Sequence, residues 1–124
     1  MADNLYKFLE QFYQIFSEYR DNELYIAGES YGGKYVPALG YKLWQMSNVS
    51  KINFKGMAIG NGLTDPINQL DGFVYLKSTG LIDEKQQVEL KLIENKIRDL
   101  YKNKDYAQAS EYFMKLCMAN YFIK

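Results

Sequence analysis

Residues 24–33 read Leu-Tyr-Ile-Ala-Gly-Glu-Ser-Tyr-Gly-Gly, and this stretch decides the predicted fold. It opens with a short apolar run that lies between the polar pair Asp21-Asn22 and Gly28, which is typical of a buried parallel strand. The glycines predict a sharp turn, because glycine lets backbone segments approach closely. Residues 34–47 then fit a helix, since Pro37 falls in its first turn, where proline is tolerated.

The turn carries a Gly-x-Ser-x-Gly pattern, which runs from Gly28 to Gly32 with Ser30 at its centre. Between a strand and a helix, this pattern indicates a nucleophile elbow, the turn that presents a reactive serine in an α/β-hydrolase fold. The backbone N–H of Tyr31 would lie at the start of the helix and could donate to a developing oxyanion. The alternative is a glycine turn with a structural role alone, since so short a pattern also arises by chance.

The sequence contains no histidine in its 124 residues. A serine hydroxyl is a weak nucleophile at neutral pH and needs a base close by, which is nearly always an imidazole held by a carboxylate. The chain therefore carries the attacking residue without the usual base. We interpret it as a part of a serine hydrolase.

The first half of the chain alternates helical and strand patterns, which predicts a parallel sheet with a crossover helix. A second buried strand is expected at residues 54–59, followed by a turn-rich loop at 60–66. The two strands are expected to be adjacent and parallel, with helix 34–47 crossing over between them right-handedly. Before them, residues 2–19 predict one amphipathic helix, with an apolar face made of Leu5, Phe8, Leu9, Phe12, Ile15, Phe16 and Tyr19.

The second half predicts helices alone, as an αα-hairpin preceded by a short helix at Gly72 to Ser78. Gly80 is expected to terminate the short helix, and Asp83 to cap the next one. That next helix is indicated by apolar residues at helical spacing: Val88, Leu92, Ile93, Ile97 and Leu100. After a turn at 102–105, a last helix over 106–121 should place on one side Ala109, Phe113, Leu116 and Cys117.

Cys117 is the single cysteine, so it has no partner within the chain. It is interpreted either as a small buried hydrophobe or as half of a disulfide whose other cysteine lies outside this sequence. Asn48-Val49-Ser50 fits the Asn-x-Ser acceptor for N-linked glycans.

Charge and hydropathy argue against several classes of protein. Fifteen basic and fifteen acidic residues balance, so no basic surface for nucleic acid is expected. No apolar run approaches the roughly 20 residues of a membrane span, and the start of the chain at Met1 does not resemble a signal peptide. No metal site and no cofactor are predicted.

Three stretches of the chain resemble the serine carboxypeptidase family: residues 12–19, residues 24–38, and residues 59–66 followed by Gln69. Residues 80–86 are similar to its vitellogenic carboxypeptidase-like branch. The resemblance runs almost end to end. It implies an α/β-hydrolase core over residues 1–71 and the helical start of an inserted cap region over residues 72–124. The family removes single residues from the C-termini of peptides, usually at acidic pH, and is secreted or lysosomal.

By this resemblance Ser30 is the nucleophile, and the Tyr31 amide is half of the oxyanion hole. Glu29 would grip the terminal carboxylate of the substrate together with a second glutamate. Two carboxyl groups hydrogen-bond only while one is protonated, which is consistent with a low working pH. Asn61 and Gly62 are expected to shape a loop.

The family's landmarks before and after these residues are missing, among them the partner glutamate, the second oxyanion donor, and the triad aspartate and histidine. None of Asp65, Asp71 or Asp83 follows a sheet strand at the far end of the fold, so none is a candidate triad acid. We therefore expect an internal fragment that is inactive alone and lacks the N- and C-terminal parts of the parent fold. The alternatives are a truncated or degenerate copy that acts only as a binding or storage protein, and a partial gene model.

Overall fold

The structure is a computed structural model and describes residues 1–117. The chain divides into two compact units, one from Met1 to Thr64 and one from Asp65 onward. The elements, in chain order, are α1 (Ala2–Ile15), a 3₁₀ turn (Ser17–Tyr19), β1 (Leu24–Glu29), α2 (Gly32–Gln45), β2 (Phe54–Gly60), α3 (Gly72–Ser78), α4 (Glu84–Lys102) and α5 (Tyr106–Cys117).

β1 and β2 form a two-stranded parallel sheet, as predicted. Gly28 pairs with Ile59 and Glu29 with Gly60, so both strands end at the same edge. Helix α2, which connects the strands, begins at Gly32 and not at residue 34. The reason is local: the amides of Gly33 and Lys34 already donate to the carbonyls of Ser30 and Tyr31, at 3.0 Å each.

The strands are not buried on both faces, which corrects the prediction. Tyr25, Ala27 and Lys55 are exposed, while Ile26 and Phe54 pack against the core of the unit. Helices α1 and α2 cover one face of the sheet, and the first unit has no element that covers the other. The main cluster of buried residues in this unit contains Tyr6, Leu39 and Leu43.

The predicted amphipathic character of α1 agrees with the structure, and Leu9 of its apolar face packs against the core, but most of that face is exposed. The buried residues of α1 are Tyr6 and Tyr13, whereas Phe8 is 59 % and Ile15 is 73 % exposed. Tyr6 can be buried because its hydroxyl donates to Glu10 at 2.7 Å, which satisfies its polar end. The helix ends at Ile15, short of the predicted residue 19. The aromatic rings left outside the core pack against one another: Phe8, Phe12, Phe16 and Tyr19.

The second unit is helical, and its local signals are confirmed. Gly80 takes a φ of 73° directly after α3. Asp83 caps α4 in a capping box, in which its carboxylate accepts from the Gln86 amide at 2.8 Å and its own amide donates to the Gln86 side chain at 2.9 Å. The core of this unit joins α4 and α5 and contains Leu70, Ile97, Leu100 and Ala109.

Only part of the apolar series at helical spacing on α4 lies in the core, which Ile97, Leu100 and the partly buried Ile93 join. Val88 and Leu92 are exposed, and the buried residues on α4 include Leu90 and Glu94 in their place. Cys117 is exposed, so its interpretation as a buried hydrophobe is wrong for the described residues. Residues 118–121 of the predicted last helix lie outside the described residues.

Glu94 is a buried carboxyl group, 2 % exposed, whose Oε2 atom accepts no hydrogen bond within residues 1–117. Burial raises the pKa of Glu94 from its usual 4.5 to about 7, against the opposing effect of the Arg98 charge. Arg98 lies 3.9 Å from Oε2 through Nη1 and is held by Asp71, whose carboxylate lies 2.8 Å from Nη2. Of the described groups, Arg98 and Asp71 are therefore the charges that act on Glu94.

The free energy of unfolding of the second unit should fall as Glu94 ionises. Because its pKa is higher in the folded state, the folded state binds the proton more tightly, so this contribution is complete below about pH 4.5 and is lost as the pH rises towards 7. We expect Glu94→Gln to be more stable than the parent at pH 7.5 by roughly 1–3 kcal/mol. The gain should shrink at pH 5. Urea unfolding at both pH values measures this, with the exposed Glu89→Gln as control. A pH-independent difference would contradict the assignment.

Candidate active site

Ser30 lies at the turn between β1 and α2 with a φ of 56°, in the left-handed region. This conformation is costly for a residue with a Cβ, by roughly 1–2 kcal/mol. Three backbone hydrogen bonds hold it: the Ser30 amide donates to the Gly60 carbonyl at 3.0 Å, and the Ser30 carbonyl accepts from Leu63 at 2.8 Å and from Gly33 at 3.0 Å. A strained residue fixed in this way is the geometry expected of a nucleophile elbow.

Gly28 is required at the elbow because there is no space for a side chain at this position. A Cβ at Gly28 would lie 2.7 Å from the Val36 side chain and 3.1 Å from the Gly32 Cα. The prediction grouped Gly32 with it, but a Cβ at Gly32 meets nothing within 4 Å among the described residues. The space around position 32 in the described residues therefore does not require Gly32 to be a glycine.

Gly33 makes the closest backbone approach, which the sequence analysis missed. A Cβ there would lie 2.6 Å from the Leu63 amide nitrogen and 2.7 Å from the Gly62 carbonyl carbon. The loop after β2 thus packs directly on the start of α2, with Asn61 at a φ of 44°. The expected loop-shaping role of Asn61 and Gly62 agrees with this packing. The turn-rich composition of residues 60–66 was the available signal, although it did not show what the loop would contact.

The reactive groups of the elbow are accessible. Ser30 is exposed, and its hydroxyl has no hydrogen-bond partner within residues 1–117. No described residue accepts from the Tyr31 amide either, which lies at the N-terminal end of the 14-residue helix α2. The partial positive charge of a helix N-terminus favours an anion there. The Tyr31 ring packs edge-on against Tyr35, with centroids 5.2 Å apart.

Glu29, the last residue of β1, is exposed, and its side chain forms no hydrogen bond or ion pair with the described residues. It adjoins Ser30 in the chain, and its backbone pairs with Gly60. Asn48 is also exposed but lies beyond the other end of α2, away from the elbow. The structure thus brings Glu29, Ser30 and the Tyr31 amide together and leaves Asn48 apart.

The chain has no histidine, so it contains no imidazole that could act as the base for Ser30. Within the described residues there is no cluster of three or more metal-ligating side chains. None of the described helices combines the length and the apolar character that crossing a membrane requires.

The sequence of this chain is similar to those of known proteins over almost its whole length. Residues 1–122 match the family model described as serine carboxypeptidase. The chain is 45 % identical over 120 residues to the "Probable serine carboxypeptidase CPVL" of Dictyostelium discoideum, covering 94 % of this chain and 24 % of that protein. It is 49 % identical over 83 residues to the vitellogenic carboxypeptidase of Aedes aegypti, covering 67 % of this chain and 18 % of that protein.

Among solved structures, the chain is similar to Kex1(delta)p, a prohormone-processing carboxypeptidase from Saccharomyces cerevisiae. The TM-score is 0.68 at 27 % identity, covering 82 % of this chain and 23 % of that one. The chain therefore spans about a quarter of the length of its relatives. The match over residues 1–122, together with the elbow at Ser30, shows that this chain belongs to the serine carboxypeptidase family.

Proposed function

We propose that the chain provides the nucleophile-bearing segment of a serine-type carboxypeptidase, within a longer protein that supplies the base. The observation that carries this proposal is Ser30 itself: it is exposed, held in a left-handed conformation, and followed by the free amide of Tyr31. Residues 1–71 would belong to the α/β-hydrolase core, and residues 72–124 to the cap region. The family relationship favours a secreted or lysosomal location.

In this mechanism the Ser30 hydroxyl attacks the carbonyl carbon of the last peptide bond while a base outside this chain accepts its proton. The Tyr31 amide donates to the oxyanion that forms. The C–N bond then breaks, and the C-terminal amino acid leaves after its amine receives that proton. Water hydrolyses the ester on Ser30, which releases the shortened peptide and restores the hydroxyl.

The isolated chain should show no release of C-terminal amino acids above background from a blocked dipeptide between pH 4 and 7. Without an imidazole, Ser30 is not activated, and the loss of triad members typically costs several powers of ten in rate. A non-catalytic binding or storage protein would share this result, so the full-length protein must be assayed in parallel. Turnover by the isolated chain that disappears in Ser30→Ala would refute the expectation and reveal another base.

Glu29 is proposed to bind the terminal carboxylate of the substrate. Glu29→Gln keeps a hydrogen-bond donor but removes the titrating proton. In the full-length protein this variant should retain labelling of Ser30 by a fluorophosphonate, while its peptide cleavage should depend less on acidic pH.

The matched comparison for Glu29 is one peptide with a free and with an amidated C-terminus. Binding of the carboxylate predicts that Glu29→Gln alters cleavage of the free peptide and spares the amidated one. Equal effects on both peptides would show that Glu29 does not contact the terminal carboxylate.

A further inference from the structure

The turn after α2 contains the sequence's only Asn-x-Ser/Thr acceptor triplet with a residue other than proline in the middle, at Asn48-Val49-Ser50. The Val49 and Ser50 amides both donate to the Met46 carbonyl, at 3.0 and 2.7 Å, which folds the triplet back on the end of the helix. Asn48 is exposed, and its side chain has no hydrogen-bond partner within residues 1–117. Val49 is 74 % exposed. The folded chain therefore leaves room for a large group on Asn48.

We propose that Asn48 carries an N-linked oligosaccharide. The proposal rests on the secreted or lysosomal location proposed above, because the transfer takes place in the secretory pathway. The donor is an oligosaccharide attached to a lipid diphosphate. The Asn48 amide nitrogen forms a bond to the first sugar carbon, the bond from that carbon to the diphosphate oxygen breaks, the lipid diphosphate leaves, and the amide proton goes to solvent.

In the folded chain the hydroxyl of Ser50 is engaged by the backbone and not by Asn48. Its hydroxyl oxygen accepts from the Ile52 amide at 3.1 Å, which directs it towards the backbone of the following segment. The acceptor amide and the hydroxyl are thus not bonded to each other in the described structure, and the Asn48 side chain is free to project into solvent. The glycan would not need to displace any described contact of Asn48.

The glycan would lie far from the nucleophile. Ser30 precedes the first residue of α2, and Asn48 follows its last, with 14 helical residues between them. At 1.5 Å per residue the helix separates the two by about 21 Å. The oligosaccharide should therefore leave the elbow open, and its loss should leave kcat/KM for peptides unchanged within about twofold.

The test is expression of the full-length protein in a eukaryotic secretory system, followed by mass spectrometry of the tryptic peptide covering residues 43–51. A glycan on that peptide, lost in Asn48→Gln and in Ser50→Ala but kept in Ser50→Thr, is the expected result. The matched control is Asp105→Thr, which creates a second acceptor triplet at Asn103 in the exposed turn between α4 and α5. Threonine can still cap α5 at that position.

The control separates the two proposals. A glycan on Asn103 of Asp105→Thr with an unmodified Asn48 would overturn the inference and leave the proposed location standing. Absence of a glycan on both Asn48 and Asn103 would overturn the proposed modification and the proposed location. A glycan on Asn48 whose removal lowers kcat/KM several-fold would confirm the modification but contradict its separation from the elbow.

Discussion

Replacing Ser30 with alanine should lower peptide cleavage by the full-length protein by roughly 10⁴-fold or more. The hydroxyl is the atom that forms the acyl-enzyme, so no neighbouring group can replace it. Labelling by a fluorophosphonate, which forms a covalent bond to an activated serine, should disappear in the same variant. Initial rates with a blocked dipeptide, measured at saturating and at low substrate, check both kcat and kcat/KM.

Ser30→Gly is the matched control, because the φ of 56° is strained for serine and alanine but not for glycine. We expect Ser30→Gly to be as inactive as Ser30→Ala and more stable than the parent, by roughly 1 kcal/mol in urea unfolding. Such a pair of results separates loss of the nucleophile from loss of the fold. Retained cleavage in either variant would show that Ser30 is not the nucleophile.

Gly33→Ala should destabilise the first unit by about 3 kcal/mol or more. The new Cβ would lie 2.6 Å from the Leu63 nitrogen and 2.9 Å from the Gly62 Cα, and all of these neighbours are backbone atoms. Backbone cannot rotate away as a side chain can, so the loop after β2 must move. That movement would also lengthen the 2.8 Å hydrogen bond from Leu63 to the Ser30 carbonyl. Cleavage by the full-length protein should therefore fall together with stability.

Gly32→Ala, one residue earlier in the same helix, is the matched control. Its Cβ meets nothing within 4 Å in the described residues, and alanine is a better helix former than glycine. It should be neutral or stabilising by up to about 1 kcal/mol in the isolated chain. Urea unfolding of both variants measures the contrast. If Gly32→Ala were the more destabilising of the two, the close packing at Gly33 would not be the main constraint.

The elbow could be predicted from sequence because its signals are local. The apolar run, the glycine pattern around Ser30 and the helical pattern after it each depend on neighbouring residues, and the structure confirms the strand, the turn and the helix in that order. Because α2 begins at Gly32, Pro37 lies inside the helix and not in its first turn, which corrects that part of the prediction. Capping is local for the same reason. Gly80 follows the end of α3 and Asp83 caps the start of α4, and both act through atoms a few residues away in the chain.

Periodicity alone did not show which side chains are buried on helices that carry apolar residues on more than one face. Helix α1 is rich in aromatic residues around much of its circumference, so periodicity alone favoured the stripe that contains Phe8 and Phe12. The structure buries Tyr6 and Tyr13 instead, and the Tyr6 hydroxyl is satisfied by Glu10. On α4 the helical spacing likewise did not show that Val88 is exposed and Leu90 buried.

The sequence by itself determined the order of strand, elbow and helix, the parallel pairing and the absence of a histidine base, since these follow from local pattern and composition. Only the tertiary structure decided that Gly33 packs on the loop after β2, that Leu63 holds the Ser30 carbonyl, and that Glu94 is buried near Arg98. Each of these is a contact between segments far apart in the chain or a choice between faces of a helix. Such contacts depend on which surfaces meet, and residue periodicity carries no information about that.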